Sequence, residues 1–222
     1  MARLICNISI SLDGFVAGPN PSLENPLGEG GDLLHEWAFG ATSWRESHGL
    51  EGGETNADSE VIEESLRATG AVVMGRKMFS GGDGQWEDDP RARGWWGEDP
   101  PFHVPVFVLT HHARETLDME GGTSFTFVTG GIEAALELAR AAAGDKDVAL
   151  AGGASVVQQY LKAGLLDELH IHLAPVLLGD GVSLFDRLGI DAVGLETTRV
   201  IASPSVTHLR FDVPKGHPSK LP

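Results

Sequence analysis

The sequence has very little cysteine, few basic residues and no long apolar run. Cys6 is the only cysteine among 222 residues, so neither an intrachain disulfide framework nor a cysteine-rich zinc site is expected. Lysine and arginine number 16 against 32 acidic residues, and this net charge of −16 argues against a nucleic-acid or anionic-membrane binder, which needs a basic face. No apolar run approaches the roughly 20 residues that span a bilayer, and residues 1–10 lack the apolar segment of a signal peptide. We therefore expect a soluble cytoplasmic protein.

The hydropathy pattern predicts about eight strands and four helices. Strands are predicted at 3–10, 71–74, 106–110, 123–128, 147–151, 168–173, 195–201 and 206–213. Helices are predicted at 33–39, from 58 or 59 up to Gly70, at 132–143 and at 154–163. Loops are predicted at 16–31, 45–57 and 80–104, the last as a long surface excursion. Helices between strands and a final hairpin predict a single α/β domain over residues 1–222, with a mixed sheet flanked by helices and a tail from 215 onward.

One strand, at 147–151, passes through Gly152-Gly153 directly into a helix. Such a junction places free backbone N–H groups and the positive end of a helix dipole at the carboxyl end of a strand. Two glycines let a pyrophosphate approach the backbone closely, although a tight turn with no ligand has the same pattern. The segment is not the G-x-G-x-x-G fingerprint, so a standard dinucleotide-binding fold is disfavoured.

Two further strands also end in groups that suit an anion. Arg76 and Lys77 follow the strand at 71–74, and beside a cofactor they could clamp the phosphate that separates NADP from NAD. A solvated basic pair is the alternative. Thr110 and His111 follow the strand at 106–110 and offer hydroxyl and imidazole donors. Ligands of open α/β sheets bind at the carboxyl ends of strands, so the three junctions together indicate a phosphate-bearing ligand.

Three segments carry a resemblance to a known family. Val-Val-Met-Gly-Arg-Lys-Met-Phe at 72–79, the run from Gly152 to Gly179 and Ser-Ile-Ser-Leu-Asp-Gly at 9–14 resemble the dihydrofolate reductase superfamily. Within it, they are most similar to the reductase domain of the bacterial riboflavin-biosynthesis deaminase-reductase. The deaminase half and its Cys-x-x-Cys zinc motif are absent from this sequence. The resemblance implies a dihydrofolate reductase-like fold over nearly the whole chain, with residues 19–57 and 80–104 less well matched.

The resemblance also implies an activity and a cofactor. We expect an NADPH-dependent reductase that transfers a hydride to a C=N or C=O carbon of a small substrate, such as 5-amino-6-(5-phosphoribosylamino)uracil, a pterin or dihydrofolate. It implies a homodimer. The resemblance implies three groups of cofactor-binding residues. The adenosine and 2′-phosphate would lie against Gly75, Arg76, Lys77, Met78, Thr110 and His111, and the pyrophosphate against Gly152, Gly153, Ala154, Ser155 and Val156. The nicotinamide would lie against Ile8, Ser9 and Val16.

Hydride transfer also needs a proton donor, for which a carboxylic acid near the nicotinamide is expected. Asp13 matches the family's Ser-Leu-Asp-Gly motif, and an ordinary Asp-Gly turn is the alternative. Asp32 begins a segment that loosely resembles the acid-bearing helix of dihydrofolate reductases, and a helix cap is the alternative. Trp37 in that segment and His172, on a strand that borders the substrate in the superfamily, are candidate substrate contacts. A histidine on a partly exposed sheet face is the alternative for His172.

Two other function classes remain open from the sequence. The chain could be a binding or regulatory protein that keeps the NADP(H) pocket without turnover. It could instead be a metal-dependent enzyme that uses His170 and His172, but no convincing third ligand accompanies this His-x-His pair, so no metal is expected. The aromatic-rich stretch from Trp86 to Phe102 could act as a lid over a planar substrate, and Trp95-Trp96 within it could equally be an oligomer contact. No basic cluster marks a site for a substrate phosphate.

Overall fold

The computed structural model describes residues 2–82, 84–89, 91–186, 188–189 and 193–215. Its strands are β1 (Leu4–Ile10), β2 (Phe15–Ala17), β3 (Thr69–Gly75), β4 (Pro105–Leu109), β5 (Leu117–Asp118), β6 (Ser124–Val128), β7 (Asp147–Gly152), β8 (Glu168–Leu173), β9 (Val182–Ser183), β10 (Glu196–Ala202) and β11 (Thr207–Asp212). Its helices are α1 (Glu36–Phe39), α2 (Thr42–Ser47), α3 (Ala57–Ala68), α4 (Arg76–Ser80), α5 (Gly131–Ala143) and α6 (Ala154–Lys162), with 3-10 turns at Gly31–Leu34, Trp86–Asp88 and Glu120–Gly122.

The described residues form a nine-stranded mixed sheet in the order β10-β11-β8-β1-β7-β3-β4-β6-β5. Its central strands are parallel, and β11 pairs antiparallel with both β8 and β10. A small antiparallel pair, β2 with β9, lies outside it. The predicted α/β fold with a C-terminal hairpin is confirmed. The prediction of about eight strands missed β2, β5 and β9, because strands of two or three residues are too short to show a hydropathy period.

Both faces of the sheet are covered. Alternate residues of its strands point to opposite sides and therefore enter different cores. On one face Ala71 and Val73 of β3 join a core that α5 and α6 cover. On the other face Val72 and Met74 join a second core around Phe79. A third, smaller cluster contains Trp37 and Ala38 of α1 and Val206, which precedes β11, with Trp44 and Ile62 packed against it.

Several element boundaries differ from the sequence prediction. The helix predicted at 33–39 is a 3-10 turn followed by the short α1, and Asp32 lies inside that turn without capping it through its side chain. The loop predicted at 45–57 overlaps the end of α2. Helix α3 begins at Ala57, because Asn56 Oδ1 accepts hydrogen bonds from the amides of residues 58 and 59. This cap frees the Asp58 side chain for another role.

The segment predicted as a surface excursion, 80–104, contributes to the interior. Trp86 is buried in the second core, where its ring lies edge-on to Phe79 and Phe127. The prediction of a purely superficial loop was therefore wrong for this part of the segment. Of the predicted tail, 216–222 lies outside the described residues, while Lys215 Nζ lies 2.7 Å from Asp167 Oδ1.

Candidate active site

A cavity of about 1580 Å³ runs along the carboxyl ends of the central strands and under α1–α3. Single-ligand pockets commonly enclose roughly 300–1,000 Å³, so this cavity has room for a dinucleotide and a second small molecule. Its wall includes every residue that the sequence assigned to the cofactor except Gly152, together with both candidate substrate residues: Ile8, Ser9, Val16, Gly75, Arg76, Lys77, Met78, Thr110, His111, Gly153, Ala154, Ser155, Val156, Trp37 and His172.

The junction of β7 with α6 presents bare backbone to this cavity. Gly152 has a φ of 119°, a conformation that favours glycine, and the Gly152–Gly153 peptide bond is cis. A Cβ added to Gly153 would meet no atom within 4 Å, and its φ of −73° is open to any residue. Packing therefore does not require glycine at 153. The first-turn amides of α6, at Ala154 and Ser155, have no partner within the helix, so the junction can accept an anion close to the backbone.

The neighbouring junction of β3 with α4 is closely packed against it. A Cβ on Gly75 would lie 2.8 Å from Val156 Cγ2, so glycine there lets α6 approach β3. Met78 Sδ lies 3.7 Å from where a Cβ on Gly152 would be. The two strand ends thus meet at one place, as the sequence predicted.

Arg76 has internal partners that the sequence did not reveal. Its guanidinium is buried, with Nη2 2.5 Å from Asp89 Oδ2 and the Cζ atom 3.3 Å above the Trp86 ring. Ser80 Oγ donates to the same Asp89 oxygen at 2.7 Å. The guanidinium therefore belongs to an internal ion pair. Arg76 lines the cavity, but its positive charge is buried against Asp89. Asp89 comes from the 80–104 segment, and this pairing could not be deduced from the sequence.

Lys77 is exposed on the cavity wall beside Arg76. Thr110, also on this wall, is buried, and its Oγ1 accepts a hydrogen bond of 3.1 Å from the His112 amide. His111 lies next to it on the wall. Lys77 is therefore the residue of the predicted basic pair that is placed to meet an anionic group in the cavity.

At the other end of the cavity, β1 and β8 bring Ser9 and His172 side by side in register. Trp37 Nε1 donates to Ser9 Oγ at 3.1 Å, and the Trp37 ring lies 4.7 Å from the His172 ring. Ile8 and Val16 line the same region. The two candidate substrate residues and the three candidate nicotinamide residues thus share one end of the cavity.

His172 continues into a buried chain of polar groups that sequence reasoning missed. Its Nδ1 lies 2.8 Å from Nδ1 of His208, whose Nε2 lies 2.9 Å from Asp58 Oδ1. Ser203 Oγ donates to Asp58 Oδ2 at 3.1 Å. Burial, and then the nearby His208, hold the pKa of His172 well below its usual 6.5, so its ring is neutral at pH 7. We call this arrangement the Asp58–His208–His172 chain.

The two carboxylates proposed as proton donors lie away from the cavity wall. Asp13 accepts from Ser11 Oγ at 2.5 Å and from the amides of Leu178 and Gly179, and the Ser11 bond is the largest cause that lowers its pKa. Asp32 is exposed in its 3-10 turn. Asp13 therefore ties two loops together, and neither Asp13 nor Asp32 lines the cavity. Among the described residues, no Asp or Glu lines the cavity.

His170 faces a different, smaller cleft of about 80 Å³. Its Nε2 lies 2.8 Å from Glu168 Oε2 and its Nδ1 lies 3.1 Å from Asn7 Oδ1. His170 and His172 thus have separate partners. In the part of the chain that the structure describes, no group of three or more His, Cys, Asp or Glu side chains is arranged to hold a metal ion.

Aromatic residues complete the wall beside His172. Phe39 and Trp44 lie 5.0 Å apart by ring centroids, and His48 stacks on Trp44 at 3.8 Å. Trp95 and Trp96, whose roles the sequence left open, also line the cavity. Sequence reasoning did not single out Phe39, Trp44 and His48. Phe39 ends the helix predicted at 33–39, Trp44 fell in no predicted element, and His48 fell in the loop predicted at 45–57. The aromatic spacing 39, 44, 48 was the available signal.

The comparisons with known proteins agree with the fold described above. The profile of the RibD C-terminal domain family matches residues 2–209. The chain belongs to this family. A relative from Bacillus subtilis (strain 168), Uncharacterized protein YyaP, is 24% identical over 209 residues and the match spans 88% of each chain.

Solved structures show the same RibD-type fold. A putative riboflavin biosynthesis protein from Shewanella sp. PV-4 has a TM-score of 0.63 at 23% identity, over 96% of this chain and 99% of that one. A pyrimidine reductase-like protein from Corynebacterium diphtheriae has a TM-score of 0.55 at 13% identity, over 97% and 93%. The Thermotoga maritima deaminase/reductase has a TM-score of 0.56 at 13% identity over 96% of this chain and 56% of that one, so this RibD domain spans about half of the bifunctional chain.

The family and fold confirm the resemblance to RibD reductase domains within the dihydrofolate reductase-like superfamily. Within the described ranges, no helix is both long and apolar enough to cross a membrane.

Proposed function

We propose that the protein is an NADPH-dependent reductase that acts on a C=N or C=O bond of a small planar substrate. The observation that carries the proposal is the meeting of three strand ends, bare glycine backbone and Lys77 on one cavity large enough for two ligands. Membership of the RibD C-terminal domain family supports an oxidoreductase. The first-turn amides of α6 would hold the pyrophosphate, and Lys77 would meet the 2′-phosphate. When bound, the cofactor supplies a hydride, which carries both electrons of the reduction.

The end of the cavity beside His172 favours a flat ring without strong charge. Of the wall residues numbered 7 to 66, none is Lys, Arg, Asp or Glu, and several are aromatic. Aromatic walls bind planar heterocycles by stacking. A phosphate on the substrate would gain no ion pair from this part of the wall. We therefore propose an unphosphorylated pyrimidine-like or pterin-like ring in preference to 5-amino-6-(5-phosphoribosylamino)uracil itself.

Nucleotide titrations followed by fluorescence test the cofactor half. Gly153→Ala should fold normally, because the added methyl meets nothing within 4 Å, and should weaken NADPH binding, because it intrudes where the pyrophosphate approaches. Gly194→Ala is the matched control, since its Cβ also meets nothing and it lies off the cavity wall. Failure of the wild type to bind either NADPH or NADH at millimolar concentration would sink the proposal.

A substrate screen tests the reductase half. The purified protein is mixed with NADPH and, separately, with dihydrofolate, with 5-amino-6-(5-phosphoribosylamino)uracil and with its dephosphorylated form, while loss of NADPH absorbance is followed. Faster turnover of the dephosphorylated than of the phosphorylated pyrimidine is expected. Tight NADPH binding with no turnover across a broad panel of planar C=N and C=O compounds would instead support the binding or regulatory alternative.

We also propose that the protein is a homodimer and that it is cytoplasmic, as the family resemblance suggests. Light scattering coupled to size-exclusion chromatography measures the first. A mass of about one chain, 23.6 kDa, would contradict it.

A further inference from the structure

The proposed reduction needs a proton, and the cavity wall supplies no carboxylic acid for it among the described residues. Reduction of a C=N or C=O bond adds a hydride to carbon and a proton to nitrogen or oxygen. The titratable side chains on the wall near Ser9 are histidines, and His172 is the one that lies in register with Ser9. The groups that contact His172 are therefore the nearest source of a proton at this end of the cavity.

We propose that the Asp58–His208–His172 chain delivers this proton, with Nε2 of His172 as the atom that hands it to the substrate. The inference rests on the proposed function, since it presumes a reduction in this cavity. His172 would be the catalytic residue, because it alone of the three lines the cavity. Asp58 and His208 would be positioning residues that act through it.

The contact between the two histidines limits the hydrogen between their facing nitrogens to one. Two ring nitrogens 2.8 Å apart must share one hydrogen, because two N–H groups would collide and two lone pairs would repel. Two proton arrangements satisfy the contact. In one, His208 donates from Nδ1, and His172 carries its hydrogen on Nε2. In the other, His172 donates from Nδ1, and its Nε2 is a bare acceptor.

Asp58 stabilises the first arrangement, because it is a carboxylate placed beside the positive charge that this arrangement puts on His208. Its Oδ1 accepts from Nε2 of His208 at 2.9 Å and its Oδ2 accepts from the hydroxyl groups of Ser203 and Ser205. The side chains of Asp58 and His208 are 2% and 3% exposed. A second proton on His208 is therefore paired with a carboxylate that is itself fully hydrogen-bonded, as buried charge requires.

The proton transfer balances without any further reactant. The hydrogen on Nε2 of His172 moves to the substrate nitrogen or oxygen, while the hydrogen on Nδ1 of His208 moves to Nδ1 of His172. His172 is neutral before and after, His208 becomes neutral, and Asp58 keeps its negative charge. Afterwards a proton from water returns at Nε2 of His172 and the pair shifts back. The electrons of the reduction come with the hydride alone.

The surroundings favour a neutral His172 throughout. It faces His208 and Arg210 on β11, His170 on β8 and His35 next to α1, and each of these disfavours a positive charge on it. Asp58 on α3 reaches His208 and not His172. The Trp37 ring lies 4.7 Å from His172 and 5.0 Å from His208, so it shields the shared hydrogen from water.

The first test uses the protein alone, without nucleotide. Histidine labelled with ¹⁵N reports through NMR which ring nitrogens carry hydrogen, and a scalar coupling across the N–H···N contact reports a shared one. We expect a coupling between the Nδ1 atoms of His172 and His208 that disappears in His208→Gln. The coupling should persist in His170→Gln, which removes a buried histidine two residues away on the same strand. Two uncoupled Nδ1 atoms in the wild type would overturn the inference.

The second test follows a single turnover with NADPH and the substrate found by the screen. His172→Gln should slow reduction by about 100-fold or more, the usual range for loss of a general acid, while the dissociation constant of NADPH is unchanged. Asp58→Asn and His208→Gln should lower kcat with little change in KM, and circular dichroism and thermal unfolding confirm that each variant is folded. His170→Gln should remain within about 3-fold of wild type.

The two tests separate this inference from the proposed function. If His172→Gln is folded, binds NADPH and reduces substrate within about 3-fold of wild type, the relay is wrong while the reductase stands. If NADPH does not bind or the screen yields no substrate, the proposed function fails, and the NMR experiment alone decides whether the two histidines share a hydrogen.

Discussion

Nη2 of Arg76 lies 2.5 Å from Oδ2 of Asp89, and both side chains are almost completely buried. The Arg76 guanidinium also stacks on Trp86, which anchors the 80–104 segment in the second core. A basic residue that looks like a ligand contact in the sequence is thus part of the link between α4 and that segment. Its removal should affect folding before it affects binding.

Asp89→Asn should destabilise the protein by about 3–5 kcal/mol, because it removes the carboxylate charge from a buried ion pair with Arg76. Urea unfolding measures the free energy. Asp88→Asn is the control, since Asp88 is exposed and adjacent, and its effect should stay within about 0.5 kcal/mol. Equal effects of the two substitutions would show that the buried pair contributes nothing specific.

Lys77→Gln should weaken NADPH binding about tenfold and leave NADH binding unchanged. The loss corresponds to about 1.5 kcal/mol, the lower end for a hydrogen bond to a charged group, because Lys77 is exposed and solvent screens it. Fluorescence titration measures both constants. Lys146→Gln, on an exposed site off the cavity, should bind both nucleotides like wild type. An equal loss for NADH would place Lys77 away from the 2′-phosphate.

His172 should make the protein less stable in acid. Its pKa is lowered in the folded state relative to the unfolded value of about 6.5, so the unfolded chain binds the proton more readily. This contribution to stability is full above pH 6.5 and is lost as the pH falls below it. Unfolding free energies measured from pH 7.5 to 5 should therefore fall less steeply for His172→Gln than for wild type.

His103→Gln serves as the control for that experiment, because it replaces an exposed histidine in place of a buried one. Identical slopes for wild type and His172→Gln would mean that His172 is protonated as easily in the folded as in the unfolded protein. Such a result would also contradict the lowered pKa of His172 in the folded protein, which supports a neutral ring in the proposed proton transfer.

Cys6 should be nearly inert toward thiol reagents in the folded protein. It is fully buried in β1, and burial raises its pKa to about 12, whereas reaction requires the exposed thiolate. A disulfide reagent should label one thiol per chain in urea and almost none in buffer over the same minutes. Rapid labelling in buffer would show that β1 opens readily from its place between β7 and β8.

The sequence allowed most of the regular elements and the cofactor end of the cavity to be predicted, for identifiable reasons. Long strands and helices have a hydropathy period, and β8 was predicted with the bounds it has in the structure. Glycine turns such as Gly152-Gly153 mark strand ends, and parallel strand ends converge by geometry.

The remainder depends on pairings between distant residues. The partners of Arg76 and His172 lie 13 and 36 residues away, and neither Asp89 nor His208 has a local signature. His208 faces His172 only because β11 lies beside β8 in that register, and Asp58 reaches His208 only because Asn56 caps α3. The sequence pointed to carboxylates as proton donors for the same reason, because it shows single residues and not their neighbours in the fold.

The position of β1 in the sheet has a consequence for biosynthesis. Its partners β7 and β8 follow it by more than 140 residues, so the first strand leaves the ribosome with nothing to pair with. At about 5–20 residues per second, roughly 7 to 30 seconds pass before β7 is made. Throughout that interval an apolar strand is exposed, and pairing of such high contact order is slow once it begins. Demand for chaperones and sensitivity to translation speed should therefore concentrate on the nascent N-terminal segment.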